Sequence, residues 1–308
     1  MSLLRDDTAW SHGSAGTETT NHAKNETVQL NYIEWQDKFA TEKPYEVLSE
    51  VPAGFPQTNF SCSPAASETI HDIRGREQLF NLQDHGFQIW VHHHTVESFD
   101  KASVEHKYLP SLDSLLKEVF GARAETYFFD WRIRSSDRSK SSVKPGAVVD
   151  LNDPLVCLLP VQTVHVDQSP VGGVNRVRYH MGERADALLK KRCRIVNLWR
   201  PMYRTIRNFP LAMCDGGTIP KEKLLAVDHV RKSYIGESMY PLPSPGVYKW
   251  YYLNRQRKEE VLLFKTYDSD VSARARCCPH TSFQQSGVGL DKSPRETIEV
   301  RALIFTDR

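Results

Sequence analysis

The sequence lacks the features that would commit it to a membrane, to nucleic acid or to a disulfide scaffold. Its longest apolar stretches, such as Leu155 to Leu159 and Val261 to Phe264, fall well short of the roughly 20 residues that a helical bilayer span requires. This excludes a membrane-spanning helix and points to a soluble protein. A surplus of one charge is also missing: 40 Lys and Arg stand against 38 Asp and Glu, a formal net charge of +2. Phosphate backbones and anionic lipid surfaces draw dense basic surpluses, so a dedicated nucleic-acid or membrane-surface binder is not expected. Cys62, Cys157, Cys193, Cys214, Cys277 and Cys278 form no CxxC pair and are too sparse for a disulfide framework or a zinc cage. They read as reduced thiols of a cytoplasmic protein. The start of the chain, MSLLRDDTAW, places Arg5, Asp6 and Asp7 where a secretory signal would carry its apolar core, and the sequons at Asn25 and Asn59 therefore carry no weight. No glycine-rich nucleotide loop occurs, which counts against a dinucleotide-binding protein.

What remains is an ordinary globular composition: of 308 residues, 40% are hydrophobic, 25% charged and 10% aromatic, enough to bury a core. Residues 1–27 are rich in Thr, Ser, Gly, His, Asn and charge. They hold too few apolar side chains to offset the entropy of ordering them and are expected to form a mobile tail. Residues 28–308 show no break long enough for an interdomain linker and are read as a single domain, with Arg134 to Lys144 an exposed polar loop. One helix is predicted where Leu112, Leu115, Leu116, Val119 and Phe120 recur at three- and four-residue spacing, capped by Ser111 and ended by Gly121. A second is expected over Glu183 to Lys191. Short β-type runs fill much of the rest: Gln88 to Val91, Thr126 to Ile133, Ala147 to Leu151, Leu155 to Leu159, Thr163 to Val166, Arg194 to Trp199, Val247 to Leu253, Val261 to Thr266 and Thr297 to Phe305. Such strands, punctuated by Pro and Gly with few helical crossovers, predict a mainly β protein with flanking helices (α+β). An antiparallel double-sheet barrel fits better than a doubly wound parallel sheet.

The sharpest local feature is His165-Val166-Asp167 in the run TVHVDQS, followed by Pro170 and a turn at Gly172-Gly173. Residues i and i+2 of a strand point to the same side, so His165 and Asp167 can share one metal ion. With 12 His and 38 acidic residues in the chain, about one or two such triplets arise by chance, and a third ligand is needed. His280, in CCPHTSF, supplies it. Two His and one carboxylate cover one face of an octahedral ferrous ion and leave positions for a cosubstrate and oxygen. The bland alternative is a loop histidine bonded to a backbone carbonyl. Beyond it, Arg295, Thr297, Glu299 and Arg301 fall on one face of RETIEVRALIF, and Ile298, Val300 and Ala302 on the other. An arginine fork pairs bidentately with one carboxylate of a dicarboxylate cosubstrate whose other end chelates the metal. The competing reading is a solvated strand face paired to Glu296 or Glu299.

The runs HVDQS, NLWRP (Asn197 to Pro201), LAMCDGGTI (Leu211 to Ile219), IGESMY (Ile235 to Tyr240), KWYYLNRQRKEEVLLFKTYDSD (Lys249 to Asp270), CPHTSF (Cys278 to Phe283) and PRETIEVRALIF (Pro294 to Phe305) together resemble the fungal AsaB-type hydroxylase/desaturase family. That family includes the fungal gibberellin desaturase and is related to a bacterial cephamycin methoxylation component. The resemblance covers about residues 85 to 306, densest after residue 160. It implies a double-stranded β-helix, the cupin-like jelly roll, using Fe(II), 2-oxoglutarate and O2 to hydroxylate, desaturate or oxidatively cyclise a small specialised metabolite by C–H hydrogen-atom abstraction. By the same resemblance His165, Asp167 and His280 are the iron ligands. Arg295 and Arg301 match its basic positions, one or both holding the cosubstrate carboxylate; Arg295, with Thr297 as hydroxyl partner, is preferred.

Other residues admit a role in binding substrate. Arg200 in NLWRP suits a carboxylate, Trp250 and Tyr251 suit a pocket wall, and Lys265 suits either the pocket or an outer face. Adjacent strand residues point to opposite sides, so at least one member of Trp250-Tyr251-Tyr252 is expected in the core. His92, His93 and His94 lack an accompanying carboxylate motif and read as surface or entrance histidines. Cys277 and Cys278 read as packing residues, since no activating base accompanies them. Two competing readings stand beside the oxygenase: a non-catalytic small-molecule-binding β-barrel, and a transferase. The expected partner is a small molecule; the sequence carries no signal for an oligomeric state.

Overall fold

Two facing sheets form the body of the chain in the computed structural model, which describes residues 24–49, 51–141, 153–231, 234–289 and 294–308. Most of the expected tail, the run Ala147 to Leu151 and the end of the Arg134 to Lys144 loop lie outside the described residues. The larger sheet is antiparallel throughout, in the order Phe87–Val91, Glu260–Asp268, Arg192–Pro201, Glu296–Thr306 and Glu125–Ser135. The second runs Glu26–Val28, Glu68–Asp72, Trp250–Tyr252, Leu211–Cys214 and His280–Ser282. A three-stranded sheet, Ile235–Pro241, Leu224–Val230 and Tyr45–Val47, lies beyond it. Residues 163–166 join these last two: His165 bridges to His280, and Val166 to Met239. The result is a jelly roll.

Strand alternation assigns each side chain to one layer. Phe87, Trp199, Leu262 and Phe264 of the larger sheet meet Leu211, Met213 and Cys278 of the facing one in an inner apolar cluster. Val196, Leu198, Val300 and Ala302 point outward instead, beneath Leu112, Leu115 and Leu116 of a covering helix. The inner strand Glu260–Asp268 is buried at every position, as a strand covered on both faces must be.

Several sequence expectations are corrected. The covering helix starts earlier than Ser111: Asp100 caps it through the Ser103 amide at 2.9 Å, and the chain runs through Lys101–Ser103 and a π-helical turn, Val104–Tyr108, into Leu109–Phe120. The Ser111 hydroxyl bonds back to the Tyr108 carbonyl at 2.7 Å. The expected Glu183 to Lys191 helix shortens to a 3-10 turn, Gly182–Arg184, and Ala185–Leu188. Leu155 to Leu159 contributes one bridge, at Leu158.

The larger correction concerns the glycines after the HxD triplet. They form no turn but lie in the Pro170–Met181 helix, whose cap Ser169 accepts from the Gly172 amide at 2.8 Å. Glycine serves close packing here: a β-carbon at Gly172 would stand 2.3 Å from the Glu237 carbonyl oxygen, and one at Gly173 2.6 Å from the Tyr267 ring. No helix among the described residues is long and apolar enough to cross a membrane.

Gly172→Ala is expected to cost about 1–3 kcal/mol through overpacking, read as a lower melting temperature. Gly289→Ala, whose added carbon meets nothing within 4 Å, should stay within about 0.5 kcal/mol. Equal melting temperatures for the two variants would show that the helix does not dock this tightly.

Candidate metal centre

His165 and His280 face each other because their backbones pair: the His165 amide donates to the His280 carbonyl at 3.2 Å, and the His280 amide to the His165 carbonyl at 3.0 Å. Their ring centroids are 4.4 Å apart. Each Nδ1 is occupied by a carbonyl acceptor, that of Thr163 at 2.8 Å for His165 and that of Cys278 at 3.1 Å for His280. This fixes the Nδ1–H tautomer and leaves each Nε2 lone pair free. Asp167, two residues along, turns Oδ1 to within 3.5 Å of His165 Nε2. One ligand atom from each of His165, Asp167 and His280 lies within 4.8 Å of the others. Two imidazoles that present Nε2 and a carboxylate, with their other polar atoms engaged, form a donor set that fits Fe(II).

The electrostatics keep His280 and Asp167 in ligating form. Burial and the neighbouring His165 push His280 down to about 3, so its ring is neutral near pH 7. Burial alone would raise the Asp167 carboxyl, but the Arg301 guanidinium outweighs it and holds it well below the usual carboxylate range. Asp167 Oδ2 accepts from the Asn197 amide at 2.6 Å and lies 3.2 Å from Arg301 Nε, while the Ser238 hydroxyl donates to the Asp167 carbonyl at 3.1 Å. Sequence reasoning missed Asn197 and Ser238; the one available signal for Asn197 was a polar residue at an inward position of the NLWRP strand.

The two arginines of the last strand have different surroundings. Arg301 is committed to Asp130 at 2.7 Å and Glu299 at 2.6 Å as well as to Asp167. Arg295 has no carboxylate partner among the described residues: it donates to the Phe209 carbonyl at 2.7 Å, stacks over Trp199 at 5.3 Å, and leaves a buried Nε without a partner. Burial and the adjacent Arg134 charge bring its guanidinium down to about 9. Thr297 Oγ1 is also buried and unpartnered. A narrow cavity reaches from His165 and His280 to Arg295, lined also by Arg134, Leu211, Thr281, Ser282, Glu299 and Arg301. Arg134, read from sequence as the start of a loop, instead sits on the strand Glu125–Ser135 opposite Thr297.

The residues considered for substrate lie elsewhere. Arg200 is 1% exposed and bonds to the His92 carbonyl and Nδ1 at 3.3 Å, over the Tyr108 ring. It falls on the outer face with Val196 and Leu198, because it is odd-numbered steps from inward-facing Asn197 and Trp199. Trp250 is fully buried among Leu30, Tyr32, Ile70 and Val164, a core residue rather than a pocket wall. Tyr251 packs on Phe80 and Phe87 in the inner apolar cluster. Lys265 donates to Asp268 at 2.8 Å, and Asp268 also pairs with Arg192 at 2.7 Å, a buried structural set. His92 and His94 stack at 6.5 Å near the covering helix, with His94 against Tyr108. Cys277 and Cys278 are buried, and burial drives both thiols upward.

A two-histidine, one-carboxylate cluster within a jelly roll is the arrangement of a non-haem iron oxygenase. A family model described as an oxidoreductase/YMDC permease-like domain matches residues 30–305. The hydroxylase/desaturase efuI of Hormonema carpetanum is 33% identical over 261 residues, 77% of this chain and 82% of that protein. The Fe(II)/2-oxoglutarate-dependent dioxygenase nvfI of Aspergillus novofumigatus is 33% identical over 279 residues, 88% of this chain and 94% of that protein. A solved structure of the iron and alpha-ketoglutarate-dependent endoperoxidase NvfI matches with a TM-score of 0.76 at 29% identity, covering 93% of this chain and 99% of that chain. A different conformation of the same enzyme gives 0.78. The chain belongs to this family of hydroxylase/desaturases and Fe(II)/2-oxoglutarate-dependent dioxygenases, and it shares their double-stranded β-helix fold.

Burial also lowers His94, His180 and His229 to about 4. In the unfolded chain these rings and His280 take up protons near pH 6.5, whereas in the folded chain they resist until about pH 4 or below. Their stabilising contribution is therefore complete above pH 6.5 and lost as pH falls toward 4. The melting temperature is expected to drop across that window; a flat profile there would show that the rings protonate in place.

Proposed function

We propose that His165, Asp167 and His280 hold Fe(II), and that Arg295, with Thr297 beside it, takes the distal carboxylate of 2-oxoglutarate. The chain would thus hydroxylate, desaturate or oxidatively cyclise a small specialised metabolite. The observation that carries this reading is the narrow cavity that joins His165 and His280, beside Asp167, to a buried guanidinium with no carboxylate partner. When bound, iron, 2-oxoglutarate and O2 supply the oxidising power for removing a hydrogen atom from an unactivated C–H bond.

The protein's own residues position and shield that chemistry. The Thr163 and Cys278 carbonyls hold the two imidazoles in the ligating tautomer. Asn197 and Arg301 hold Asp167 Oδ2, so that Oδ1 is the oxygen left for the metal. Arg295 and Thr297 orient the cosubstrate from the far end of the cavity, and the buried Arg295 binds a carboxylate more strongly than a solvated one would. Phe264, whose ring lies 4.5 Å from that of His280, excludes water from the apolar side. The near-balanced charge of the chain supports a small molecule as substrate, in place of nucleic acid or a lipid surface.

Anaerobic titration of Fe(II) with 2-oxoglutarate tests the assignment through the weak visible charge-transfer band of the ternary complex. The band is expected in wild type and absent in His165→Ala; its absence from folded wild type would sink the iron reading. In Arg295→Gln, half-saturation by 2-oxoglutarate is expected to rise about 30- to 100-fold, the loss of a charge-assisted pair. Unchanged saturation would move the anchor away from Arg295. Asn197→Ala is expected to weaken Fe(II) binding by about 10- to 100-fold, measured by the same titration without the cosubstrate; wild-type affinity would show that Arg301 alone suffices to hold Asp167.

A further inference from the structure

A second group of cations, Arg176 and Arg231, lies outside the cavity that Arg295 and Arg134 line, and Arg176 feels the Asp167 charge. Arg176 comes from the Pro170–Met181 helix, where Gly172, Arg176 and His180 share one face by four-residue spacing. The close approach of Gly172 to the Glu237 carbonyl fixes that face against the strand Ile235–Pro241. Arg176 is held between aromatic rings, 4.5 Å from the Tyr234 centroid and 5.3 Å from that of Phe129. Arg231 directly follows the strand Leu224–Val230, on the same side as His229 by strand alternation, and its amide donates to the Tyr234 carbonyl at 3.0 Å.

Neither guanidinium has an anion of its own. Asp130 is taken by Arg132 at 2.9 Å and Arg301 at 2.7 Å, and Glu299 by Arg301 at 2.6 Å. Among the described residues, neither Arg176 nor Arg231 forms an ion pair. Arg176 Nε and the Tyr234 hydroxyl are buried without hydrogen-bond partners, as is Nε2 of His180 on the same helix face. Buried donors left in this state are costly unless a ligand completes them. The charge environment agrees: burial, then the repulsion of neighbouring arginines, lowers Arg231, and Arg176 is lowered by burial while it feels both Arg301 and Asp167.

Resting on the oxygenase reading above, we propose that Arg176 and Arg231, with the Tyr234 hydroxyl, bind a carboxylate of the organic substrate, which is therefore an organic acid. Planar guanidinium forks match a carboxylate's geometry, and the Phe129 and Tyr234 rings offer apolar contact to the carbon skeleton beside it. A carboxylate anchored there sets the substrate body on the Asp167 side of the ligand cluster, while the cosubstrate enters from the Arg295 side.

The test is calorimetric titration of the anaerobic Fe(II) protein at saturating 2-oxoglutarate with 2-naphthoate and its neutral counterpart 2-naphthamide. Wild type is expected to bind the naphthoate at least 10-fold more tightly than the amide. Arg176→Gln/Arg231→Gln is expected to erase that preference with the charge-transfer band intact. Arg231→Gln alone, with the charge-transfer band again intact, should reduce it several-fold. No preference in wild type, or a preference that survives in both variants, overturns the proposal. A preference lost in Arg295→Gln but kept in the double variant also overturns it, because the probe then occupies the cosubstrate cavity. A missing charge-transfer band with the naphthoate preference intact would instead remove the iron reading and leave the anion site standing.

Discussion

The structure depends on one backbone pairing, that between His165 and His280. These residues lie far apart in the chain, yet two amide–carbonyl bonds bring their imidazoles into contact and set Asp167 on the same side two residues later. The segment that carries His165 is also where the sheets are joined, through Val164 to Asn31 on one side and Val166 to Met239 on the other. The ligand cluster is therefore part of the seam of the jelly roll rather than an addition to it. A slip of one residue would turn both His165 and Asp167 to the opposite face, so the register that closes the fold is the register that assembles the site.

The space around that seam is divided chemically. Arg192–Pro201, Glu260–Asp268 and Phe87–Val91 contribute Trp199, Leu262, Phe264 and Phe87 to the interior. Glu125–Ser135 and Glu296–Thr306 contribute Asp130, Arg132, Arg134, Thr297, Glu299 and Arg301. Charges this well buried persist only when paired or when a ligand completes them. Arg301 meets the first condition by bridging Asp130, Asp167 and Glu299. Arg295 does not, and its depressed guanidinium reflects burial beside Arg134. A chain with a net charge of +2 thus gathers unpaired positive charge locally, where a dianionic cosubstrate would offset it.

The sequence made some of this legible and hid the rest for identifiable reasons. The same-side placement of His165 and Asp167 needs only strand alternation, and the long strands announce themselves by continuous apolar runs. Alternation says that Arg200 and Trp199 face opposite ways but not which of them faces inward, so Arg200 was considered for substrate although it lies under the covering helix. Gly172 and Gly173 suggested a turn because glycine composition reports backbone freedom and close packing alike; the partners that decide between them, Glu237 and Tyr267, come from distant strands. Asn197 carries no charge and belongs to no ligand motif, so its hold on Asp167 is visible only once the strands Arg192–Pro201 and Glu296–Thr306 are in register. Arg176 is an ordinary surface-type residue until its helix packs it against the Tyr234 and Phe129 rings.

An unpartnered nitrogen does not by itself mark a binding site in such an interior. Arg200 Nε also lacks a partner, yet its guanidinium lies against Tyr108 and His92 on the outer face, with the sheet between it and the two histidines. Lys265 is as deeply buried as any of these cations, and Asp268 fully engages it. What separates Arg295 from both is the conjunction of three properties: no carboxylate partner, a buried donor left open, and a place on the side of the sheet that faces the ligand cluster. Arg295 has all three toward the His280 side of the cavity, and Arg176 has the first two while feeling the Asp167 charge. Two separate anion-seeking positions, one of them in the cavity beside the ligand cluster, would let the protein hold a cosubstrate and an acidic substrate at once without either competing for the other's charge.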